Sequence, residues 1–177
     1  MSDSARIAAA VCYRRGANGI EFLLVRTKGG GKWTFPKGHV EESETARAAA
    51  AREAREEAGA VGAPTRAALA RYLYASGSSD REVHPVTAYL LAVRALRAPD
   101  EPRREPTWFA PRAALRALAR GGREARFVTE HQRVLDSALH RLARKQARPA
   151  SRIAPRSKER RHLSGGSRRP RARGPSS

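Results

Sequence analysis

The chain has 177 residues, with 36 Lys+Arg against 17 Asp+Glu and a formal charge of +19, so either its partners or its compositional history must account for a large cationic excess. Forty per cent hydrophobic residues at this length can fill one core, which excludes wholesale disorder and a disulfide-stapled miniprotein. Cys12 is the single cysteine, which excludes an intrachain disulfide and a multi-thiolate zinc site and suits a reducing compartment.

Taken in chain order, the elements alternate between strand and helix. Ile7 to Tyr13 is a continuous run of mostly small apolar residues; Gly16 to Gly19 reads as a turn, and Ile20 to Val25 as the second arm of a hairpin. Gly29, Gly30 and Gly31 break the chain, and Pro36-Lys37-Gly38 reads as a turn. Ser43 or Thr45 can cap a helix that runs through a series of alanines to Ala58, where Gly59 supplies a left-handed stop. Tyr72 to Tyr74 and Val86 to Val93 read as strands around a polar loop at 77–80; Pro99 to Pro106 is a loop ahead of Trp108-Phe109. A short helix is expected over Arg112 to Arg120. A longer one is expected over Val128 to Lys145, with Val134, Leu135, Ala138, Leu139 and Leu142 on one face. This order favours an α/β fold with a mixed sheet flanked by helices in one domain, residues 1–145. No stretch reaches the length of a membrane span, so the expectation is a cytoplasmic protein with no membrane partner.

Residues 146–177 hold ten Arg/Lys against one Glu, a net +9, among Pro, Gly and Ser. With Ile153 and Leu163 as the only large apolar residues, this tail cannot bury enough surface to offset the entropy of ordering, and it is expected to be disordered. Such a segment can contact nucleic acid or polyphosphate without sequence preference. Lysine supplies only five of the 36 cations, however, and an Arg- and Ala-rich composition also arises from genome-wide bias, so charge alone does not establish a polyanion partner. The remaining +10 surrounds an acidic island, because Glu41, Glu42, Glu44, Glu53, Glu56 and Glu57 are six of the thirteen glutamates.

Glu53, Glu56 and Glu57 fall within about a third of a helix circumference. A solvated helix face beside Arg52 and Arg55 would show the same pattern, but two features favour a site. The rest of the helix is almost all alanine, which lets its back face pack closely on a sheet, and Gly38 can bring backbone oxygen toward the carboxylates. Clustered carboxylates raise one another's pKa unless a cation compensates, and several hard oxygens with room for water suit Mg2+.

Gly38, five residues, Glu44, seven residues, then Arg52-Glu53-Ala54-Arg55-Glu56-Glu57-Ala58-Gly59-Ala60 resembles the Nudix box, the loop-helix segment of hydrolases that act on a nucleoside diphosphate linked to another moiety. Ala54 and Ala60 stand where the family prefers larger aliphatics. The resemblance implies an α/β/α sandwich over residues 5–143. It also implies Mg2+ ligation by Glu53, Glu56 and Glu57 with the Gly38 carbonyl, Mn2+ being a possible substitute. Arg52 would orient Glu53, and Glu44 would buttress the loop. Phosphoanhydride cleavage needs neutralised phosphate oxygens and an activated water, and metal ions supply both. The proton acceptor is Glu53 or a glutamate outside the box; Glu105 is the candidate, with Glu101 an alternative.

Trp33-Thr34-Phe35-Pro36-Lys37-Gly38-His39 is similar to the branch that hydrolyses diadenosine polyphosphates and diphosphoinositol polyphosphates, as are Arg81-Glu82-Val83-His84 and Trp108-Phe109. Arg26, Lys28, Lys32 and Lys37 can grip a phosphate chain, His39 can contact phosphate or cap the loop, and Tyr89 can stack on adenine. Dinucleoside polyphosphates are therefore the expected substrates. Nucleoside triphosphate or oxidised-nucleotide pyrophosphohydrolysis is the alternative, and a nonenzymatic Nudix-fold binding module is a third reading.

Overall fold

The apolar run from Ile7 forms β1 (Ile7–Gly16), which turns back at 17–18 into β2 (Gly19–Arg26) as an antiparallel hairpin with Tyr13 opposite Phe22. This is a computed structural model; it describes residues 6–29, 31–76, 82–120 and 125–147, all in one unit that ends at Ala147. The polar loop expected at 77–80, Arg81 and residues 148–177 of the expected tail lie outside the described residues.

After the hairpin come β3 (Trp33–Thr34), β4 (Lys37–His39) and α1 (Ala46–Ala58). Next are β5 (Ala60–Pro64), β6 (Ala70–Ser76), the long β7 (Glu82–Leu96), a single 3-10 turn (Pro102–Arg104) and β8 (Thr107–Phe109). Helices α2 (Pro111–Ala119) and α3 (Ala125–Ala147) complete the unit, α3 running two residues into the segment expected to be disordered. The sheet runs in the order β3-β2-β1-β7-β5, with β4 on β1, β6 on β7 and β8 on β2. Among the described residues only β1 and β7 pair in parallel, so the sheet is mixed as the alternation of elements implied.

Strand alternation divides the core into two layers. Ile7, Ala9, Val11, Phe22, Leu24, Val86, Ala88 and Leu90 face α2 and α3, whose stripe of Val134, Leu135, Ala138 and Leu142 is the one the helical spacing predicted. Each leucine fully buried there contributes about 1.5–3 kcal/mol. Ala8, Ala10, Cys12, Leu23, Val25 and Leu91 face the other way, against Ala49, Ala50, Ala54 and Ala58 of α1. One helix on one face and two on the other make the α/β/α sandwich. Burial pushes the Cys12 thiol up to about 12, so it is a core side chain and not a nucleophile.

Two expectations change at this stage. The predicted turn at Pro36-Lys37-Gly38 is a strand from Lys37 onward, because β1 offers a free edge: Gly38 pairs with Ala8 and the Ala10 amide donates to the Pro36 carbonyl at 2.9 Å. Residues 60–64, to which the sequence reading assigns no element, become β5 by pairing with the end of β7, which extends both ways beyond the predicted 86–93. No helix among the described residues is long and apolar enough to cross a membrane.

Candidate active site

Thr45, not Ser43, caps α1: its backbone is extended and its Oγ1 accepts the Ala48 amide at 3.2 Å. At the other end Gly59 adopts φ 64° and its amide donates to the carbonyls of Ala54 and Arg55. Between these stops the alanine face seats on the sheet and turns Glu53, Glu56 and Glu57 toward β4. Gly38 leaves room for the Glu53 carboxylate: a Cβ there would collide with it and displace that side chain.

Arg52 organises this face. Its guanidinium donates to Glu44 Oε2 at 3.0 Å, Glu53 Oε1 at 2.7 Å, Glu56 Oε2 at 3.1 Å and the His39 carbonyl at 2.9 Å. These bonds tie the helix to the strand that precedes it. The Arg52 hydrogen bond holds Glu44 below the usual carboxylate range, whereas burial pushes Glu53 up despite its Arg52 partner.

Glu57 is the most buried of the three carboxylates and has two different partners. Its Oε2 accepts the Lys37 amide at 3.1 Å, and its Oε1 is ion-paired with Arg104. Burial raises Glu57 to about 7, against the opposing pull of Arg104 and Lys37. Burial likewise lowers Lys37 to about 8, with Glu57 opposing the shift; the Lys37 ammonium donates to Thr34 Oγ1 at 2.8 Å and lies 4.0 Å from the centre of the Tyr74 ring.

All of these groups except Thr34 and Glu44 line one cleft of about 600 Å³, together with Lys28, His39, His84 and Glu101. The structure thus brings together Gly38, Arg52, Glu53, Glu56, Glu57, Lys28, Lys37 and His39 from the sequence-predicted set. Four predicted residues lie elsewhere, among them Lys32, which is exposed ahead of β3. Arg26 stacks on the Trp33 ring at 4.0 Å and pairs with Glu105 at 3.3 Å, outside the cleft lining, and Glu105 is 66% exposed there. Tyr89 occupies the odd-numbered face of β7 and packs into the alanine layer under α1. Its place as the aromatic of the cleft is taken by Tyr74, which pairs across the ladder with His84.

Like Tyr74, Arg104 is a site residue that sequence reasoning missed. One arginine in a Pro-rich loop carries no signal of its own; the 3-10 turn that starts at Pro102 aims it inward, where Nε donates to Glu101 at 2.6 Å and Nη1 to the Arg26 carbonyl at 3.1 Å. Three carboxylates and a backbone strand in near contact form a donor set that fits a hard divalent cation. Among the described residues, however, no three acidic, His or Cys side chains already converge on one point, because Arg52 and Arg104 hold the carboxylates instead.

The family model of the NUDIX domain matches residues 4–131, and the chain belongs to the Nudix family. It is a Nudix hydrolase by fold and by its carboxylate-bearing helix. Among solved structures it is similar to the C. elegans Ap4A hydrolase at 22% identity, over 78% of this chain and 98% of that one, with a TM-score of 0.60. A structure described as a possible asymmetric diadenosine tetraphosphate hydrolase from Jonesia denitrificans matches at 24% identity, over 81% and 98%, with a TM-score of 0.61. A Bacillus subtilis pyrophosphohydrolase matches at 23%, over 82% and 85%, with a TM-score of 0.53. No curated protein matches the sequence.

Proposed function

We propose that the protein hydrolyses a phosphoanhydride bond of a nucleoside diphosphate linked to another moiety, with dinucleoside polyphosphates as substrates and Mg2+, or Mn2+ in its place, as cofactor. The observation that carries this reading is one cleft lined on one side by Glu53, Glu56 and Glu57 and elsewhere by Lys28, Lys37, His39 and Arg104. Carboxylates suit the cation, and the bases suit the phosphate chain. The similarity to two Ap4A hydrolase structures supports the substrate class, and the similarity to a pyrophosphohydrolase supports the triphosphate alternative.

A divalent cation on these carboxylates would neutralise charge on the phosphate oxygens and lower the pKa of a bound water. Glu53, Glu56 and Glu57, with the Gly38 carbonyl, are the groups that would hold it. Arg52 fixes Glu53 and Glu56 so that their oxygens stay on the cleft side of α1. Lys37, anchored by Thr34, lies where it can draw a phosphate toward the carboxylates while its own charge is compensated by Glu57. Glu53 and Glu101 reach the cleft and can accept a proton from the attacking water; Glu105, engaged with Arg26, lies off the cleft.

The test is a panel of diadenosine tetra- and hexaphosphate, the dNTPs, 8-oxo-dGTP and diphosphoinositol phosphates, with Mg2+ and with EDTA. Mg2+-dependent cleavage of the diadenosine compounds is expected. Turnover of dNTPs alone would establish the triphosphate reading, and inertness on every compound would leave a binding module.

Gly38→Ala probes the cradle. The new methyl group must displace the Glu53 carboxylate, and a displacement of about 1 Å costs about a hundredfold in rate. A fall of that order in kcat is expected, with a melting temperature close to wild type; unchanged kcat would show that Glu53 is not held against this strand for catalysis.

A further inference from the structure

We propose that Arg104 is a built-in counter-cation that neutralises Glu57 in the metal-free protein and yields it when the divalent cation binds. The inference rests on the metal reading above and assigns to that site a positioning residue from outside the carboxylate helix.

The geometry separates what is fixed from what is exchangeable. The Glu57 and Arg104 side chains are only 3% and 9% exposed, so neither charge is neutralised by water. Glu57 Oε2 is held by the Lys37 amide, which leaves Oε1, the oxygen paired with Arg104, as the one that can change partner. On Arg104 only Nη2 is committed to Glu57; Nε and Nη1 are held by Glu101 and the Arg26 carbonyl. The guanidinium can therefore release the carboxylate and remain anchored by its other two bonds. A dication on Oε1 and a guanidinium in contact with the same oxygen would repel strongly in this low-dielectric setting, so the two are alternatives. Arg52 differs in kind: it comes from α1 itself, spans three carboxylates and a carbonyl, and moves with the helix. Arg104 arrives from a separate loop, 47 residues further along the chain than Glu57.

The exchange means that metal binding must break an ion pair. Removing the arginine should destabilise the metal-free protein and tighten the metal. The experiment is calorimetric titration of Mn2+ and Mg2+ into the full chain at pH 8.5, where protons do not compete for the carboxylates, with melting curves in EDTA and in metal. Arg104→Met is expected to melt lower than wild type in EDTA, to bind Mn2+ about tenfold more tightly, and to gain more melting temperature from the metal. Equal or weaker Mn2+ affinity in Arg104→Met overturns the proposal. If that variant does not fold in EDTA, Arg104→Lys decides: one ammonium cannot hold Glu57, Glu101 and the Arg26 carbonyl together, so affinity about threefold tighter is expected, and wild-type affinity overturns the proposal. Wild-type protein that binds neither metal would instead overturn the metal reading itself.

Discussion

Glu57→Gln is expected to lower Mg2+-dependent hydrolysis at least about a hundredfold, equivalent to about 2.7 kcal/mol of barrier, while the protein remains folded at 25 °C. The substitution preserves the volume of a side chain that is only 3% exposed, so no cavity opens. It does remove a charge that the proposed metal site requires. Glu57 accepts hydrogen bonds at both oxygens, from Arg104 and from the Lys37 amide, and an amide can accept at only one of those positions. The lost bond costs about 1–3 kcal/mol, well within what a domain of this size tolerates. Steady-state kinetics together with a urea titration separate the two effects. Full wild-type turnover would contradict the metal assignment, and global unfolding would reassign Glu57 to a structural role.

The second large effect concerns stability. Gly59→Ala is expected to cost about 2–4 kcal/mol, and so to lower the melting temperature by roughly 6–12 °C. The left-handed backbone at φ 64° accounts for about 1 kcal/mol of this. The larger share is steric: a Cβ at this position would run into the Arg97 carbonyl, which is backbone and cannot turn aside, and the Arg97 amide donates to the Gly59 carbonyl at 2.8 Å. Relieving the collision means breaking the junction that joins α1 to the end of β7. A loss below about 1 kcal/mol in chemical denaturation would show that this junction yields more easily than its contacts imply.

Gly59 also shows which parts of the fold could be read in advance. A glycine that ends a helix, a side chain that caps one and a hairpin turn act through residues close in sequence; the glycine and the turn stand where the sequence placed them, and of the two caps it offered Thr45 is the one used. The carboxylate face was legible for the same reason, since helical spacing alone groups Glu53, Glu56 and Glu57. What escaped depends on distant partners. Lys37-Gly38-His39 is a strand only because β1 has an edge to offer, and Ala60–Pro64 only because β7 continues far enough to pair with it. Tyr89 looked suited to stacking on a base, but the choice of face along β7 was set by register with β1, where it lies opposite Ala10 in the alanine layer. Glu105 was the candidate proton acceptor outside the box, yet it takes a left-handed φ of 48° at the end of the 3-10 turn and pairs with Arg26, while Glu101 and Arg104 reach the cleft.

The alanine layer beneath α1 bears on how accurately the carboxylates are placed. Ala49, Ala50, Ala54 and Ala58 meet Ala8 and Ala10 of the sheet, and alanine has no side-chain rotamers to freeze on folding or to exchange afterwards. The helix therefore orders on its seat without side-chain entropy loss and rests there with almost the stiffness of backbone against backbone. Sliding or rolling it would open voids that the alanines have no rotatable side chain to fill. Whatever adjustment substrate or metal demands must come from the long glutamate and arginine side chains above the layer, while the platform that carries them stays still.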